Sequence, residues 1–437
     1  MTNNLDTFGE TMYEWATDLF PICRSITGPG VRETLFYIKN ILPDMKIKEV
    51  SSGTKVFDWT VPKEWTINSA YIEDSNGKKI IDFKINNLHV VGYSIPIDQY
   101  FTLEELCEHL YYLPDQPNAI PYVTSYYKEH WGFCITYKQF QMLKSGIYHV
   151  VIDSELKSGV LNYGELVIRG DLDEEVLLST YVCHPSMANN ELSGPVVTTA
   201  LAQWIQSFVN QRYTYRIIFV PETIGSISYL SINYKYLKRK VIAGFNVTCV
   251  GDDRCYSYLP SRFGKTISDD IALHVLQNID VKFKRYTWLD RGSDERQYCS
   301  PGVDLPIATI MRSKYGEYPE YHTSLDDLSL ITPKGLFGGF TALRRAIEIL
   351  ENNYYLQAKK ICEPQLGNYG LYSTLSIKKY DESGSIISNL LSYCDGTNSI
   401  LEISNFINKP FWKIKPIVDK LVDLELLDKF VIKKTTI

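Results

Sequence analysis

Residues 175–206, EVLLSTYVCHPSMANNELSGPVVTTALAQWIQ, join a run of apolar and β-branched residues to an amphipathic helical pattern through a polar turn. His184 stands where the apolar run ends, and Asn189, Asn190 and Glu191 follow within the turn. Open α/β sheets place their ligand-binding loops at the carboxyl ends of strands. The stretch therefore predicts a buried strand followed by a covering helix. Its turn is either a metal site or an ordinary strand-to-helix connection.

Further apolar runs and helical patterns extend this unit into a larger α/β domain. Short runs at 215–223, 241–250 and 304–312 are typical of strands that are buried on both faces of a sheet. Amphipathic patterns such as GLFGGFTALRRAIEIL stand between and after them. Alternation of strands and helices predicts a sheet covered by helices, and we assign residues 1–54 and 146–356 to this domain.

Two other segments differ from this pattern. Residues 55–145 alternate apolar with polar residues and turn at Ser-Asn-Gly-Lys, which predicts a small, mostly β domain inserted into the larger one. Within it, residues 113–133 are rich in proline and aromatic residues. Residues 372–437 contain three helical patterns and then a short strand pair, an order typical of a winged helix-turn-helix.

Bulk composition excludes several classes of protein. The formal net charge of −6 argues against a protein that mainly binds phosphate backbones. The first residues, MTNNLDTFGETMYEW, lack the basic start and apolar stretch of a signal peptide, and no apolar run approaches the roughly 20 residues that span a bilayer. Nine scattered cysteines without a Cys-x-x-Cys pair fit reduced thiols. We therefore expect a cytoplasmic protein without a membrane partner.

Two of the seven histidines stand in loops rich in carboxylates. His184 follows a strand, and His322 lies in GEYPEYHTSLDDLSLITP before a helix. Between them, PETIGS, TCVGDDR and LDRGSDERQYC each place carboxylates at or near the end of an apolar strand. Imidazole nitrogens and carboxylate oxygens bind Zn²⁺ or Mn²⁺, and an open coordination position lets the ion acidify water. Each loop alone fits an ordinary cap, but their joint occurrence indicates one site assembled from several strand ends.

These motifs resemble those of the zinc aminopeptidases, the family that includes glutamate carboxypeptidase and the transferrin receptor ectodomain. The resemblance rests on His184 with ANNELSG, then PETIGS, NVTCVG, GSDERQYCSPGVDLP and YHTSLDD. With its inserted β domain and winged-helix tail, the whole chain resembles a bacterial subgroup of aminopeptidase-like proteins associated with polysaccharide biosynthesis. The resemblance implies a mixed α/β sheet flanked by helices, a divalent metal centre and Glu222 as the general base of an amide hydrolase.

Three of the five ligand positions of that family are neutral in this chain. The bridging Asp falls on Asn190, the metal-binding Glu on Thr223 and a further Asp on Thr248, whereas His184 and His322 stay in register. A neutral amide oxygen is a poor bridge between two metal ions. We therefore expect the site to hold one ion rather than two, and we expect that ion to be zinc or another divalent metal.

Nearby carboxylates offer replacements for the missing ligands. We predict that His184 and His322 bind the ion together with Glu222 or Glu191 and leave a fourth position for water. Further residues that could bind or support the metal are Asn190, Asp252, Asp294, Glu295 and Asp326, the last through a hydrogen bond to a ligand imidazole. Candidates for contacting the substrate are Arg291, Arg296, Arg312 and Tyr321.

The expected function is hydrolysis of an amide or peptide bond, with Glu222 moving a proton from water to the leaving amine. The expected substrate is a small peptide or an aminoacyl or N-acyl compound linked to surface-polysaccharide metabolism. A ligand-binding or scaffold protein that has lost the ion is the main alternative, because Asn190, Thr223 and Thr248 are neutral.

A winged-helix regulator is the third alternative. The last helical pattern of the tail mixes lysines with Asp419, Asp423 and Glu425, whereas a recognition helix needs a clearly positive face. We therefore expect the tail to contact a protein or a second copy of the chain rather than nucleic acid.

Overall fold

A computed structural model describes residues 7–371 and 382–431. Within them the chain forms two compact units. The first contains the residues up to 269 together with 282–341, and the second contains 270–281 together with the residues from 342 onward. None of the described helices is both long enough and apolar enough to cross a membrane.

The helices of the described residues are α1 (Phe8–Leu19), α2 (Pro29–Ile41), α3 (Leu103–Cys107), α4 (Tyr137–Gln141), α5 (Ser193–Gln206), α6 (Ile224–Lys240), α7 (Ile267–Ile279), α8 (Glu295–Tyr298), α9 (Pro333–Asn352), α10 (Glu382–Ser392), α11 (Ile400–Phe406) and α12 (Phe411–Asp423). The strands are β1 (Lys46–Ser51), β2 (Lys55–Val56), β3 (Trp59–Thr60), β4 (Glu64–Glu73), β5 (Lys79–Asp82), β6 (Ile97–Thr102), β7 (Leu110–Tyr111), β8 (Phe133–Cys134), β9 (Ile147–Lys157), β10 (Val160–Ile168), β11 (Glu175–Tyr181), β12 (Thr214–Val220), β13 (Val241–Asn246), β14 (Ser257–Leu259), β15 (Lys284–Arg285), β16 (Ile307–Met311), β17 (Tyr355–Ala358), β18 (Asp395–Ser399) and β19 (Leu427–Phe430).

The first unit is built on an eight-stranded mixed sheet in the order β1-β10-β12-β11-β13-β16-β14-β15. Its centre is parallel, because β11 pairs in parallel with β12 and β13, and β13 pairs in parallel with β16. Every residue of β11, β12 and β16 is buried, as expected for strands covered on both faces. The carboxyl ends of the parallel strands therefore meet at one edge of the sheet.

The quoted stretch folds as its pattern predicts, with β11 followed by a polar turn and then α5. A five-residue π-helical segment, Ala188–Leu192, leads directly into α5. Gly194 lies so close to the sheet that a Cβ there would come within 2.4 Å of Thr180 Oγ1 and 2.6 Å of the Val247 carbonyl oxygen. The Ser-Gly step thus lets α5 start directly against the strand ends.

A second, four-stranded sheet in the order β5-β4-β9-β6 lies in the first unit. Strand β9, which the sequence analysis placed in the larger sheet, pairs instead with β4 and β6. Residues of β9 alternate between buried and more exposed along much of its length, the pattern of an antiparallel strand with one covered face. An isolated bridge between Pro121 and Thr323 connects the proline- and aromatic-rich segment to the loop that carries His322.

The second unit contains the helices of the tail and a three-stranded sheet in the order β18-β17-β19. Ser399 and Glu402 form a capping box that begins α11. The tail was predicted over 372–437, and both of these end points lie outside the described residues. Strand β17 precedes the predicted start of the tail and pairs with both of the other strands.

His274 joins α7 to the helices of the tail within the second unit. Its Nδ1 lies 2.6 Å from Asn405 Oδ1, and its Nε2 accepts a hydrogen bond of 2.9 Å from the backbone N–H of Phe411. Burial lowers the pKa of His274, and the contact with Asn405 only partly opposes this effect.

This contact predicts acid sensitivity of the second unit. Because the pKa of His274 is lower in the folded than in the unfolded chain, the unfolded chain binds more protons below a pH of about 6.5, so stability falls there as the pH falls. The protection factors of the α11 and α12 amides, which correct for the intrinsic pH dependence of exchange, should therefore fall between pH 7 and pH 5 in the wild type. The His274→Gln variant should show less of this dependence, and an equal dependence in both proteins would contradict the assignment.

Candidate functional site

Glu222 follows β12 in a strained turn. The N–H of Ile224 donates to the Glu222 carbonyl oxygen at 2.8 Å, and Thr223 between them has φ 62° and ψ −76°. These angles define a classic γ-turn, which is rare and is especially unfavourable for a β-branched residue. The turn places Glu222 on the wall of a cavity beside the sheet edge.

Three more residues near this edge have left-handed backbones although they are not glycine. Ser186 has φ 44°, Cys249 has φ 51° and His322 has φ 55°. Each such conformation is costly and persists only where the surrounding structure enforces it. Strain at four neighbouring loops is the pattern expected where a fold holds functional groups in fixed positions.

A buried chain of contacts fixes the His184 imidazole. Oε2 of Glu191 accepts hydrogen bonds from the His184 backbone N–H at 3.0 Å and lies 2.9 Å from His184 Nδ1. Arg24 Nε donates to the His184 carbonyl oxygen at 2.9 Å and lies 3.5 Å from Glu191 Oε1. The side chains of Arg24 and Glu191 are completely buried. A proton is held on Nδ1, so Nε2, which lies 3.5 Å from Glu222 Oε2, is the nitrogen that could bind an ion after giving up its own proton.

His322 is held between two tyrosines. Its ring stacks on Tyr321 with centroids 3.9 Å apart and meets Tyr122 edge-on at 5.2 Å. The Tyr122 N–H also donates to the His322 carbonyl oxygen at 2.9 Å. Nε2 of His322 is buried without a hydrogen-bond partner among the described residues. The ring centroids of His184 and His322 are 5.5 Å apart, so the structure brings the two predicted imidazoles together.

The ionisable groups of the site affect one another. Burial lowers the pKa of His322 to about 3, helped by its neighbour His184, so its imidazole is neutral. Burial alone would lower the pKa of His184, but Cys183, Glu191 and Glu222 outweigh it and raise the pKa. Burial also raises the pKa of Glu222, against the opposing effects of His184 and Arg296. A carboxylate with a raised pKa is suited to accept and return a proton near neutral pH.

Asp294 lies beside Glu222 but outside the lining of the cavity. Its Oδ1 accepts hydrogen bonds from the Thr223 N–H at 2.8 Å and the Ser226 hydroxyl at 2.7 Å. Burial and the nearby Glu222 raise its pKa to about 7. It therefore supports the strained turn and adds an acidic neighbour to Glu222.

His184, Glu222, Arg296 and His322 line a cavity of about 400 Å³. Its walls come from the ends of strands in the large sheet, from the segment after α1, and from the predicted insert. The lining residues are Ile26, Trp59, Tyr122, Thr124, Tyr126, Tyr127, Cys183, His184, Glu222, Thr223, Ile224, Arg296 and His322.

Several predicted site residues have structural partners instead. Asp326 does not bond an imidazole, because its carboxylate accepts from the N–H groups of residues 188–190 and from the Tyr318 hydroxyl. Asp252 is bonded to Asn189, Arg254 and Ser313, and Glu295 to Asn246, Tyr315 and the turn at 292–293. Both carboxylates hold loops together because they are buried among N–H and O–H donors.

Of the three arginines predicted to contact the substrate, one lines the cavity and two do not. Arg312 is buried, donates to the Asp252 carbonyl oxygen at 2.6 Å and covers Tyr256. Arg291 is exposed and lies over Trp288, away from the cavity lining. Arg296 does line the cavity and donates to Thr223 Oγ1 at 2.7 Å.

A tyrosine hydroxyl occupies the space between two of the neutral ligand positions. Tyr181 Oη lies 2.5 Å from the Asn190 carbonyl oxygen, 2.8 Å from Asn190 Oδ1 and 2.6 Å from Thr248 Oγ1. All three residues are buried. A neutral hydrogen-bonded group thus joins the positions at which the family resemblance would place two acidic metal ligands.

This arrangement makes Tyr181→Phe a specific test. Removing the hydroxyl leaves the buried side-chain oxygens of Asn190 and Thr248 with only long contacts to the Cys249 sulfur, so the free energy of unfolding should fall by about 1–3 kcal/mol. The content of the expected divalent metal should not change, because no predicted ligand is altered. Denaturant unfolding and elemental analysis measure the two effects, and a loss of metal would show that Tyr181 supports the ion.

Cys183, His184 and Glu191 also bring three potential ligand atoms within 4.8 Å of one another. The 2.9 Å contact between His184 and Glu191 is already a hydrogen bond and leaves no space for an ion between those atoms. Burial raises the pKa of Cys183 to about 11, so its sulfur is a thiol rather than the thiolate that binds metals. The better metal-binding atoms are Nε2 of His322, which has no hydrogen-bond partner among the described residues, and Nε2 of His184 once it has lost its proton.

Most of the cavity lining, and the buried Arg24, were not among the predicted site residues. Arg24, Tyr122 and Tyr126 come from distant segments, and Cys183 was counted only among the reduced thiols. The available signal was the proline- and aromatic-rich composition of residues 113–133, which does not show where the segment lies in the fold. Nothing in the local pattern around Arg24 indicates that it is buried.

Comparisons with known proteins match the chain in two parts. A family model described as a domain of unknown function, DUF4910, matches residues 13–353. A winged helix-turn-helix model, HTH_47, matches residues 353–429. A Clostridium acetobutylicum protein named as a polysaccharide biosynthesis protein with an aminopeptidase-like domain is 46% identical over 429 residues, which is 97% of each chain.

Solved structures show a similar fold. A crystal structure from Clostridium acetobutylicum, named as a peptidase, is 43% identical and covers 98% of both chains with a TM-score of 0.92. A zinc aminopeptidase from Bacillus subtilis is 12% identical, with a TM-score of 0.58, and covers 79% of this chain and 94% of its own. At that identity the likeness shows the fold alone. The prediction of an aminopeptidase-like α/β fold with a C-terminal winged helix is confirmed.

Proposed function

Because the chain belongs to the DUF4910 family and has an aminopeptidase-like fold, we propose that it is a metal-dependent hydrolase of an amide or peptide bond. The substrate is a small peptide or an aminoacyl or N-acyl compound. The observation that carries the proposal is the convergence of His184, His322 and Glu222 on one cavity. The name of the 46% identical relative supports a substrate from surface-polysaccharide metabolism.

The residues present fit one divalent ion. Nε2 of His322 is buried without a hydrogen-bond partner in the described structure, a costly state that coordination would remove. Glu191 contacts the Nδ1 atom of His184. In metal sites, a carboxylate commonly orients a ligand imidazole through a contact of this kind. His184 and His322 would hold the ion together with one oxygen of Glu222. Neutral Asn190 and Thr248, already joined by Tyr181, support one ion rather than two.

A bound zinc ion supplies Lewis acidity to the water and to the substrate carbonyl. The chain itself supplies the proton transfer: Glu222 accepts a proton from water and returns it to the leaving nitrogen. Burial of Glu222 raises its affinity for that proton. Arg296, through its hydrogen bond to Thr223, holds the strained turn that presents Glu222 to the cavity.

Metal analysis tests this proposal directly. We expect purified wild-type protein to contain about one zinc or other divalent ion per chain. The His184→Ala/His322→Ala variant should contain none, because a site with three protein ligands then loses two of them. A matched control is His149→Ala, which removes a histidine of β9 that contacts Glu73 and Asp98. Equal, negligible metal in wild type and double variant would contradict the proposal.

A second function is favoured by one observation. Neutral Asn190, Thr223 and Thr248 are also what a ligand-binding protein without an ion would contain. Such a protein would bind a small ligand in the cavity, its thermal transition would rise, and the ligand would be recovered unchanged. Turnover that disappears in Glu222→Gln excludes this function.

For the tail we propose a contact with protein, either a partner or a second copy of the chain. Ion pairs of Asp419 with Lys415 and Lys429 reduce the positive charge near α12. Nucleic acid binding needs an unpaired positive face, so a cytoplasmic scaffold role fits the tail better. Absence of binding to duplex DNA at low salt, with self-association detected by sedimentation, would support this role.

A further inference from the structure

Much of the cavity wall is aromatic and lies between residues 59 and 127. The rings of Trp59 and Tyr127 meet edge-on with centroids 5.8 Å apart. Both line the cavity, yet Trp59 is 41% exposed and Tyr127 is 57% exposed. Deeper in the wall, the hydroxyls of Tyr122 and Tyr126 are hydrogen-bonded at 2.8 Å. The wall therefore combines open ring faces with polar atoms.

This wall is fixed in position by its neighbours. Trp59 belongs to the β2–β3 hairpin, where it pairs with Val56. At the corner of the hairpin, Phe57 has φ 54° and packs edge-on against Tyr234 of α6 at 5.8 Å. A strained corner anchored to a helix is evidence of a preorganised surface rather than of a loosely attached hairpin.

The charges in the cavity disfavour a substrate with a free amino group. Among the described residues that line it, Glu222 is the one carboxylate and Arg296 carries a permanent positive charge. Glu222 is already assigned to the metal and the proton. A substrate ammonium would therefore face Arg296, and the proposed ion, without an opposite charge to balance it. A neutral acylated nitrogen meets no such repulsion.

We propose that this site takes an N-acylated amino sugar and removes its acyl group. A pyranose ring has an apolar face, which stacks on an aromatic ring, and hydroxyl edges, which suit polar atoms such as the tyrosine hydroxyls and Arg296. The proposal rests on the proposed function, because it uses the same histidines and Glu222. It differs from an aminopeptidase in the bond cleaved and in the absence of a substrate ammonium.

The reaction balances as a hydrolysis. Water adds its oxygen to the acyl carbonyl carbon, and the bond from that carbon to the sugar nitrogen breaks. Glu222 takes one proton from the water and delivers it to the leaving nitrogen. The new carboxylic acid then gives its remaining proton to the amine, so the products are a carboxylate and a protonated amino sugar, and no oxidant or further reactant is required.

Binding and turnover of N-acetylglucosamine test the proposal separately. Calorimetry with zinc-loaded full-length protein should show binding of N-acetylglucosamine at least about tenfold tighter than of glucosamine or leucine amide, both of which carry an ammonium. Trp59→Ala and Tyr127→Ala should each weaken that binding by about tenfold, because each removes an aromatic face. Tyr100→Ala is the matched control, since Tyr100 is 71% exposed on β6 but lies outside the cavity lining.

The outcomes separate this inference from the proposed function. Ring-dependent binding without release of acetate would support the ligand class and contradict the hydrolase. Hydrolysis of leucine amide without binding of N-acetylglucosamine would support the hydrolase and overturn the ligand class. Unchanged binding in both aromatic variants, or a response of Tyr100→Ala as large as theirs, would also overturn it.

Discussion

Under the proposed function, Glu222→Gln assayed at saturating zinc is expected to lower kcat for amide hydrolysis by about 10²–10⁴-fold while the protein keeps its fold. Glutamine has the same shape and retains a carbonyl oxygen, but it cannot accept a proton from water or return one to the leaving nitrogen. Glu222 stands at a strained γ-turn 3.5 Å from His184 Nε2, where no other described lining carboxylate can replace it.

The measurement is steady-state hydrolysis with N-acetyl and aminoacyl amides, together with elemental analysis of both proteins. Glu317→Gln is a suitable control because Glu317 is exposed in the loop that precedes His322. We expect the control to retain wild-type kcat. A Glu222→Gln protein with more than a tenth of wild-type kcat and full zinc would assign the proton transfer to another group.

Arg24→Met is expected to lower the free energy of unfolding by about 3–5 kcal/mol. Arg24 and Glu191 are completely buried and lie 3.5 Å apart, so removing the guanidinium leaves a buried carboxylate without its opposite charge. The same change removes the donor to the His184 carbonyl oxygen. Denaturant unfolding by circular dichroism measures the loss.

The double variant Arg24→Met/Glu191→Met separates charge from orientation. With both charges gone, much of the lost stability should return, because apolar replacement of a buried ion pair is often nearly neutral. Zinc affinity should still fall by about 10–100-fold, because His184 loses the carboxylate that orients it. Arg254→Met removes a partly exposed pair with Glu320 and should cost no more than about 1 kcal/mol. A double variant with wild-type zinc affinity would assign Glu191 a purely structural role.

The central sheet could be predicted because its signal is local. Parallel strands buried on both faces are continuous apolar runs, and β11, β12 and β16 show this in their sequences. Strand β9 was placed in the wrong sheet because an apolar run does not specify which neighbour it pairs with. Pairing depends on contacts between residues far apart in the chain, which one sequence does not display.

The candidate site was also predictable only in part. Residues 184 and 322 were predicted to meet because the ends of parallel strands share one edge, and their rings lie 5.5 Å apart. The role of Asp326 was not predictable, since its carboxylate is used by three backbone N–H groups of a turn 136–138 positions away. Likewise Arg24 lies 160 positions before the carbonyl oxygen to which it donates. Types of side chain can be inferred from motifs, whereas partners require the fold.

The bridge between Pro121 and Thr323 gives the segment around Tyr122 two roles. Its backbone donates to the carbonyl oxygen of His322, and its ring touches both imidazoles. Under the proposed function, shortening or replacing this segment would consequently change catalysis as well as selectivity. Exchanging the segment between relatives would not change selectivity alone, because the contacts to His322 would change with it. Natural variants of this region must preserve the contacts that Pro121 and Tyr122 make with the loop of His322.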